Sequence, residues 1–409
     1  MLKFKIYVLG CKVNQYDAGI LRNKLISFGF KETQNNVDIA VIVTCAVTKI
    51  AVRKSKQMIN KAKKENPKAK IIISGCCSKI YKKEIEKRNI DAITNISNFN
   101  SVIKKLLNNN KIKTKNKLNL QNIYKSRYFI KIQDGCEQFC SYCIIPYTRG
   151  KLKSRNEQEI LDEIKEAVLF GYKEIILCGI HLGLYGKGRT DQKNCSLVKL
   201  IKKIIKIKNL GKIRLSSIEI NDINDELINL ISKSNKICRH LHIPLQAGSD
   251  KILKLMNRPY DKKYFLDKVK KIRKKNPQIA ITTDVIVGFP NEDDKDFKET
   301  VEFIKKINFS RLHIFSFSEH EKTPASKLQN KVNINIIKKR STYLQKLNIK
   351  LEKQYRKKFN NTIVSAVIEK ILDNKIKAKT EFYFDIEFNK KLIKNKDCRI
   401  KNIININLI

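Results

Sequence analysis

Short apolar runs alternate with amphipathic stretches through residues 1–107. Lys5–Leu9, Asp38–Val43, Lys70–Ser74 and Ile90–Thr94 read as strands, and the first three close on Gly10-Cys11, Thr44-Cys45 and Gly75-Cys76. Helical patterns separate them, one opening at a possible cap, Asn14, and running to about Phe28, another running from about Thr48 to Lys64. Strands that are apolar throughout, with helices between them, predict a parallel sheet covered on both faces.

After residue 107 the pattern stops. Residues 108–126, with Asn108-Asn109-Asn110 and repeated lysines, read as a polar linker. A second α/β series follows, with strands expected at Tyr128–Ile132, Glu174–Cys178, Lys212–Ser216, Arg239–Ile243, Ala280–Val287 and Arg311–Phe315. Helical stretches such as Glu157–Phe170 and Asp294–Ile307 lie between them. Six βα units over roughly 200 residues fit a partial (β/α)6 barrel better than a closed eight-stranded one. A basic helix from about Asn335 to Lys358 leads out, and residues 361–409 change to a two-residue alternation at Thr362–Ile368, Glu381–Phe388 and Cys398–Leu408. The expected organisation is α/β throughout. It comprises a doubly wound N-terminal domain (1–107), the linker (108–126), a barrel with its trailing helix (127–358) and a short β-barrel-like domain (361–409).

Composition changes this picture in two ways. The formal charge of +47 calls for a polyanionic partner, most plausibly RNA, although abundant Lys, Asn and Ile with no Trp is also what A/T-rich coding produces. In the last domain Phe382, Tyr383 and Phe384 stand among Lys375, Lys377, Lys379, Lys390 and Lys391, a composition that suits RNA binding or a plain cap. No apolar run approaches the ~20 residues of a membrane span. The N-terminus enters a strand directly, so the expectation is a cytoplasmic protein with no membrane association. Eleven cysteines, six of them in loop positions, fit metal-binding thiols in a reducing compartment better than disulfides.

Two thiol sets carry the chemistry. Cys136, Cys140 and Cys143 fall within eight residues after the first barrel strand. Three thiolates in one tight loop can hold a zinc ion with a distant fourth ligand, or a four-iron cluster with one iron left open for substrate. Cys11, Cys45 and Cys76 each follow a strand at its carboxyl end, the edge where open α/β sheets bind ligands. Each alone could be a small buried thiol. Other polar groups trace a rim on the carboxyl face of the barrel: Gly179 and Gly183, then Glu219, then His242 before Pro244-Leu245-Gln246, then Asp284 before Gly288-Phe289-Pro290.

The loop, with Tyr142 just before its last cysteine, resembles the cluster loop of radical S-adenosylmethionine enzymes. The wider set of motifs resembles the methylthiotransferases: Gly10-Cys11-Lys12-Val13-Asn14-Gln15, Thr44-Cys45-Ala46-Val47-Thr48, Gly75-Cys76, Ile145-Pro146-Tyr147-Thr148-Arg149-Gly150 with Ser154-Arg155, His242–Gln246, Met256-Asn257-Arg258 and Asp284–Pro290. The opening Gly-Cys-Lys-Val-Asn is similar to the branch that acts on N6-threonylcarbamoyladenosine, 3′ of the anticodon at position 37 of tRNA. The isopentenyladenosine and ribosomal-protein branches open differently.

The resemblance implies two [4Fe-4S] clusters and S-adenosylmethionine as cofactors. Cys136, Cys140 and Cys143 would hold the cluster that cleaves S-adenosylmethionine to a 5′-deoxyadenosyl radical. Cys11, Cys45 and Cys76 would hold the second, which presents the transferred sulfur. Tyr142, Gly179, Gly183, Glu219, His242 and Asp284 would border S-adenosylmethionine, and Arg149 and Arg155 could meet the threonyl carboxylate or phosphate. Implied partners are tRNA, an electron donor such as flavodoxin or ferredoxin, and a sulfur source; the oligomeric state stays open. Two departures stand out. His320 and Lys322 lie where the family often carries Arg and Gly, and the last domain, similar to the family's TRAM RNA-binding barrel, is short and departs from its central motif around Thr380–Asp385. The different-class alternative is a non-catalytic RNA-binding protein whose thiols hold structural metal.

Overall fold

The computed structural model describes residues 1–107, 126–187, 195–393 and 398–408. Apart from Ser126, the expected linker lies outside the described residues. The chain divides into two compact units: the described parts of Met1–Ile123 with Cys143–Lys151, and of Tyr124–Tyr142 with Leu152–Ile409.

In the first unit β1 (Lys3–Val8), β2 (Lys31–Glu32), β3 (Ile39–Thr44), β4 (Lys70–Gly75) and β5 (Ala92–Ile93) form one parallel sheet in the order β2-β1-β3-β4-β5. Alternate residues of β3 face opposite ways. Ile39, Val41 and Val43 meet α1 (Lys12–Ser27) through Leu21 and Leu25, and α5 (Phe99–Leu106) through Phe99 and Ile103. Ala40 and Ile42 meet α2 (Lys49–Glu65) through Val52, Ile59 and Ala62. Both faces are therefore covered, as wholly apolar strands require. The short α3 (Cys77–Ile80) and α4 (Lys82–Glu86) follow β4. Thr48 caps α2 by accepting from the Ala51 amide at 3.0 Å, while α1 starts directly from Cys11, whose side chain makes no cap hydrogen bond. The same unit takes in Cys143–Lys151 with its one-turn α6 (Ile145–Arg149).

Among the described residues of the second unit, six strands run parallel: β6 (Tyr128–Lys131), β9 (Glu174–Cys178), β10 (Lys212–Leu215), β11 (His240–His242), β12 (Ala280–Val287) and β13 (Arg311–Ser316). Parallel bridges Ile213↔Ile237 and Ser217↔His242 carry the order from β10 across to β11. The short β7 (Gln133–Asp134) and β8 (Lys153–Ser154) pair antiparallel. Helices α7 (Glu157–Leu169), α8 (Leu197–Ile204), α9 (Asp225–Lys233), α10 (Asp250–Leu255), α11 (Lys262–Lys275) and α12 (Asp294–Ile307) alternate with the strands. α13 (Ile334–Lys357) leads to an antiparallel sheet ordered β16-β15-β14-β17, built from β14 (Thr362–Ile371), β15 (Lys375–Thr380), β16 (Asp385–Asn389) and β17 (Ile403–Leu408).

The aromatic triplet corrects the sequence expectation. Phe382, Tyr383 and Phe384 are not part of the strand expected over Glu381–Phe388. They form a turn between β15 and β16, in which the Tyr383 amide donates to Thr380 O at 3.0 Å and Tyr383 adopts φ +72°. Phe382 and Phe384 pack on Phe359 with ring centroids 4.3 and 5.3 Å apart. Tyr383 stacks on His240 of β11 at 4.2 Å. Packing of these rings on Phe359 and His240 holds the turn, and the alternation that suggested one strand over Glu381–Phe388 breaks at it.

Beneath Tyr383 lies Arg214, wholly buried. Its Nε pairs with Glu174 Oε1 at 2.7 Å, and its two terminal nitrogens donate to Thr380 O at 2.9 Å and Glu381 O at 3.2 Å. Thus the amino ends of β9, β10 and β11 carry the C-terminal sheet.

Two three-thiol sets as the candidate active site

The first set is assembled by backbone chemistry at three adjacent strand ends. Asn14, in the first turn of α1, donates through Nδ2 to Leu9 O at 2.7 Å and to Thr44 O at 3.0 Å, tying β1 to β3. Thr44 O also accepts from the Cys76 amide at 3.0 Å, tying β3 to β4. Ser55 of α2 clamps Cys45, accepting from its amide at 3.0 Å and donating to its carbonyl at 3.1 Å. Gly75 must be glycine. Its φ is +92°, and a β-carbon there would lie 2.4 Å from Thr44 O.

Cys45 and Cys76 are buried, and Cys11 is exposed. Burial pushes the Cys45 thiol up to about 11; the neighbouring Cys76 and Cys11 add to the shift and Arg149 opposes it. The three thiols are thus close enough to interact. They do not, however, close to within 4.8 Å of one another. One tetrahedral zinc with 2.3 Å bonds would hold its thiolates about 3.8 Å apart. Three thiolates at neighbouring strand ends suit an iron–sulfur group held with one iron left open.

Arg149 completes this set. Its Nε donates to Cys76 Sγ at 3.3 Å, Nη1 pairs with Asp17 at 2.8 Å, and Nη2 donates to Asn14 Oδ1 at 2.5 Å. Arg155, the other arginine singled out from sequence, pairs with Glu163 at 2.8 Å and donates to Lys131 O at 3.1 Å. Cys77 lies wholly within the core against α2, and burial pushes its thiol up to about 12.

In the second unit the loop carrying Cys136 and Cys140 is held from several sides. Gln133, fully buried, donates to Asp134 O and Gly135 O, both at 2.8 Å, and accepts from the His181 amide at 2.8 Å. Ser141 donates from its amide to Met256 O at 3.0 Å and from its hydroxyl to Leu255 O at 2.7 Å. Asn257 Nδ2 donates to Phe139 O at 3.1 Å, and the Ala325 amide to Ser141 O at 2.8 Å.

Arg258 and His181 address its sulfurs. Arg258 Nη1 donates to Cys140 Sγ at 3.2 Å, while Nη2 pairs with Glu219 and Nε donates to the Tyr260 hydroxyl at 3.1 Å. His181 Nδ1 stands 3.6 Å from Cys136 Sγ, and its Nε2 is 2.8 Å from Asp222. Burial pulls the His181 imidazole down, but hydrogen bonds to Asp222 and Cys136 outweigh this and raise it to about 9. Burial likewise pushes the Cys140 thiol up, and Arg258 opposes it.

The remaining rim residues have specific surroundings. The space beside Gly179 is taken by Leu182 and Gln133, and that beside Gly183 by Asp222, where a β-carbon would fall 2.2 Å from Asp222 Cβ. Glu219 is engaged by Arg258, and Tyr142 lies within electrostatic range of the same guanidinium. His242 Nε2 and His313 Nδ1 both reach Asp284 Oδ1, at 3.1 and 3.3 Å, and their rings stack with centroids 5.1 Å apart. Both imidazoles meet one carboxylate oxygen at hydrogen-bond distance, so ordinary N–H donation accounts for this trio without a cation.

Arg258, His181, Asp222, His313 and Gln133 were not chosen as site residues from sequence. A signal existed for two of them, Arg258 in Met-Asn-Arg and His181 in Gly-Ile-His-Leu-Gly.

Comparison with known proteins identifies the chain. The model of the Radical SAM superfamily matches residues 130–304, and that described as Uncharacterized protein family UPF0004 matches residues 3–95. The threonylcarbamoyladenosine tRNA methylthiotransferase MtaB of Bacillus subtilis is 32% identical over all of this chain and 94% of its own length. Its counterpart from Aquifex aeolicus is 35% identical over 94% of this chain and 96% of its own. A tRNA-2-methylthio-N(6)-dimethylallyladenosine synthase of Thermoanaerobacter pseudethanolicus is 34% identical over 93% and 85%. Among solved structures, the radical S-adenosylmethionine methyltransferase TsrM of Kitasatospora setae aligns over 80% of this chain and 77% of its own, with a TM-score of 0.60 at 12% identity, a likeness of fold. The chain therefore belongs to the radical S-adenosylmethionine tRNA methylthiotransferases, enzymes that transfer a sulfur-containing group with iron–sulfur and S-adenosylmethionine as cofactors.

Proposed function

We propose that the enzyme adds a methylthio group to C2 of N6-threonylcarbamoyladenosine at position 37 of tRNA, using two [4Fe-4S] clusters, one on each thiol set. The observation that carries this reading is the gathering of Cys11, Cys45 and Cys76 at three neighbouring strand ends, a second incomplete thiol set in a chain that already has one. The relatives named for threonylcarbamoyladenosine support the substrate. Chain length adds a constraint. Cys143 and Arg149 belong to one unit and are joined by two extended steps and the single turn of α6, so their α-carbons are at most about 14 Å apart. Arg149 in turn touches Cys76.

Bound there, the iron–sulfur groups supply reductive cleavage of S-adenosylmethionine at one set and the transferred sulfur at the other. The chain's own part is positional. Asn14, Ser55 and Gly75 aim the first thiols, while Gln133, Ser141 and Asn257 fix the loop of the second. Arg149 and Arg258 place positive charge against the sulfurs, and His181 stands beside Cys136. A second S-adenosylmethionine as methyl donor to the sulfur, an electron donor such as flavodoxin or ferredoxin, and a source of replacement sulfur would complete the reaction. The C2–H bond of adenine is strong and unactivated, so acid–base groups alone could not break it.

Two measurements test the reading. Mass spectrometry of tRNA nucleosides from cells with and without the gene is expected to lose only the methylthio form of threonylcarbamoyladenosine. Loss of the methylthio isopentenyl form instead would assign the other tRNA branch, to which relatives at 34% identity belong. Unchanged tRNA would point to a ribosomal protein. Cys140→Ala should abolish S-adenosylmethionine cleavage, while Cys45→Ala should keep cleavage and lose sulfur insertion. Full methylthiolation by Cys45→Ala would overturn the second-cluster assignment.

A further inference from the structure

The two thiol sets share a device. Each has one largely enclosed arginine that donates to a cysteine sulfur and is itself held by a buried or half-buried carboxylate. In the first unit the group is Cys76–Arg149–Asp17, with the Arg149 and Asp17 side chains 10% and 9% exposed. In the second it is Cys140–Arg258–Glu219, with Arg258 1% exposed. Both guanidiniums have a third anchor, Asn14 for Arg149 and Tyr260 for Arg258, so their forks are fixed before any ligand arrives.

We propose that Arg149 and Arg258 are matched positioning residues, each setting the reduction potential of the iron–sulfur group held by its own thiol set. The inference rests on the two-cluster reading above and assigns Arg149 a role other than meeting the substrate carboxylate.

The physical case is as follows. A guanidinium cannot lose its proton inside a protein, so each arginine is a permanent donor and a permanent charge. Hydrogen bonds to cluster sulfurs, net charge and burial are the levers by which a protein moves a cluster potential. Reduction adds one negative charge. With an N–H directed at the sulfur and the carboxylate bound elsewhere on the guanidinium, the positive end of each ion pair faces the thiolate and favours the reduced state. Removing the arginine should therefore lower the potential. Removing its carboxylate, which leaves the guanidinium less neutralised, should raise it. A purely structural clip would not produce shifts of opposite sign.

The test uses the full chain, reconstituted anaerobically. Iron and sulfide are counted first. Roughly eight irons per chain satisfies the reading on which this inference rests, whereas a wild-type count of roughly four, or zinc in place of iron, sinks that reading itself. On loaded protein, electron paramagnetic resonance-monitored redox titration is expected to show Arg149→Gln lowering one of the two cluster signals by at least tenfold in its reduction equilibrium, 59 mV for one electron. Arg258→Gln should lower the other signal instead. Arg149→Lys should recover part of the loss, and Asp17→Asn should shift the Arg149-dependent signal upward. Asp17→Asn keeps Arg149 in place, so it decides the sign even if Arg149→Gln fails to load iron. Unmoved potentials, or Asp17→Asn and Arg149→Gln moving the signal the same way, would overturn the proposal.

Discussion

Arg214 offers the sharpest test of how the C-terminal sheet is held to the barrel. Its side chain is wholly buried against Glu174, itself 2% exposed, with both peptide carbonyls of Thr380 and Glu381 satisfied by the same guanidinium. Replacing it by Met keeps much of the volume but strands a buried carboxylate and two carbonyls. Another cation, Arg127, stands 3.9 Å from Glu174 and is already paired with Glu369 at 2.6 Å. Breaking a buried pair from one side costs about 3–5 kcal/mol. At about 2–4 °C per kcal/mol for a unit of this size, Arg214→Met should lower the melting temperature by roughly 6–20 °C. The double variant Glu174→Gln/Arg214→Met removes the stranded charge and should recover most of that loss, because a buried pair contributes little net stability over a neutral replacement. Far-ultraviolet circular dichroism is the assay, since the chain has no Trp. A double variant as unstable as the sum of its two single variants, within about 0.5 kcal/mol, would refute the pairing.

Other expectations follow from the same geometry. Gly75→Ala combines strain at φ +92° with a contact 2.4 Å from Thr44 O; it should cost about 1–3 kcal/mol and displace Cys76. Iron content should then fall from about eight to about four per chain, and full loading would show that the strand end can yield. Burial pushes the thiols of Cys77 and Cys238 up to about 12. Both should resist iodoacetamide near pH 8, where only about one thiol in ten thousand would be ionised, and should react once urea unfolds the chain; modification of either in folded protein would contradict the packing. Burial alone would push the Asp284 carboxyl up, but the charges and hydrogen bonds of His242 and His313 prevail and hold it below the ordinary range. A carboxyl lowered on folding stabilises the protein above its unfolded value of about 3.9 and loses that contribution as pH falls through the folded value. The stability gap between wild type and Asp284→Asn should accordingly narrow as pH falls below about 4, and a gap that widened there would argue against the pairing.

The sequence by itself determined the strand–helix alternation and the family, and it placed Cys11, Cys45 and Cys76 at strand ends. Apolar runs such as Ile39–Thr44 admit only a strand buried on both faces. The Gly10-Cys11, Thr44-Cys45 and Gly75-Cys76 junctions mark strand ends because the chain must turn there. These are local constraints, readable one segment at a time. What only the tertiary structure decided were pairings across long sequence separations. Arg149 reaches Cys76 across 73 residues, and Arg258 reaches Cys140 across 118. A lysine- and arginine-rich sequence does not say which cations face solvent and which face a thiol; that depends on which carboxylate lies within hydrogen-bond reach. The aromatic triplet at Phe382–Phe384 makes the same point in reverse. Alternation suggested one strand over Glu381–Phe388, but a turn at Tyr383 folds the rings onto Phe359 and His240.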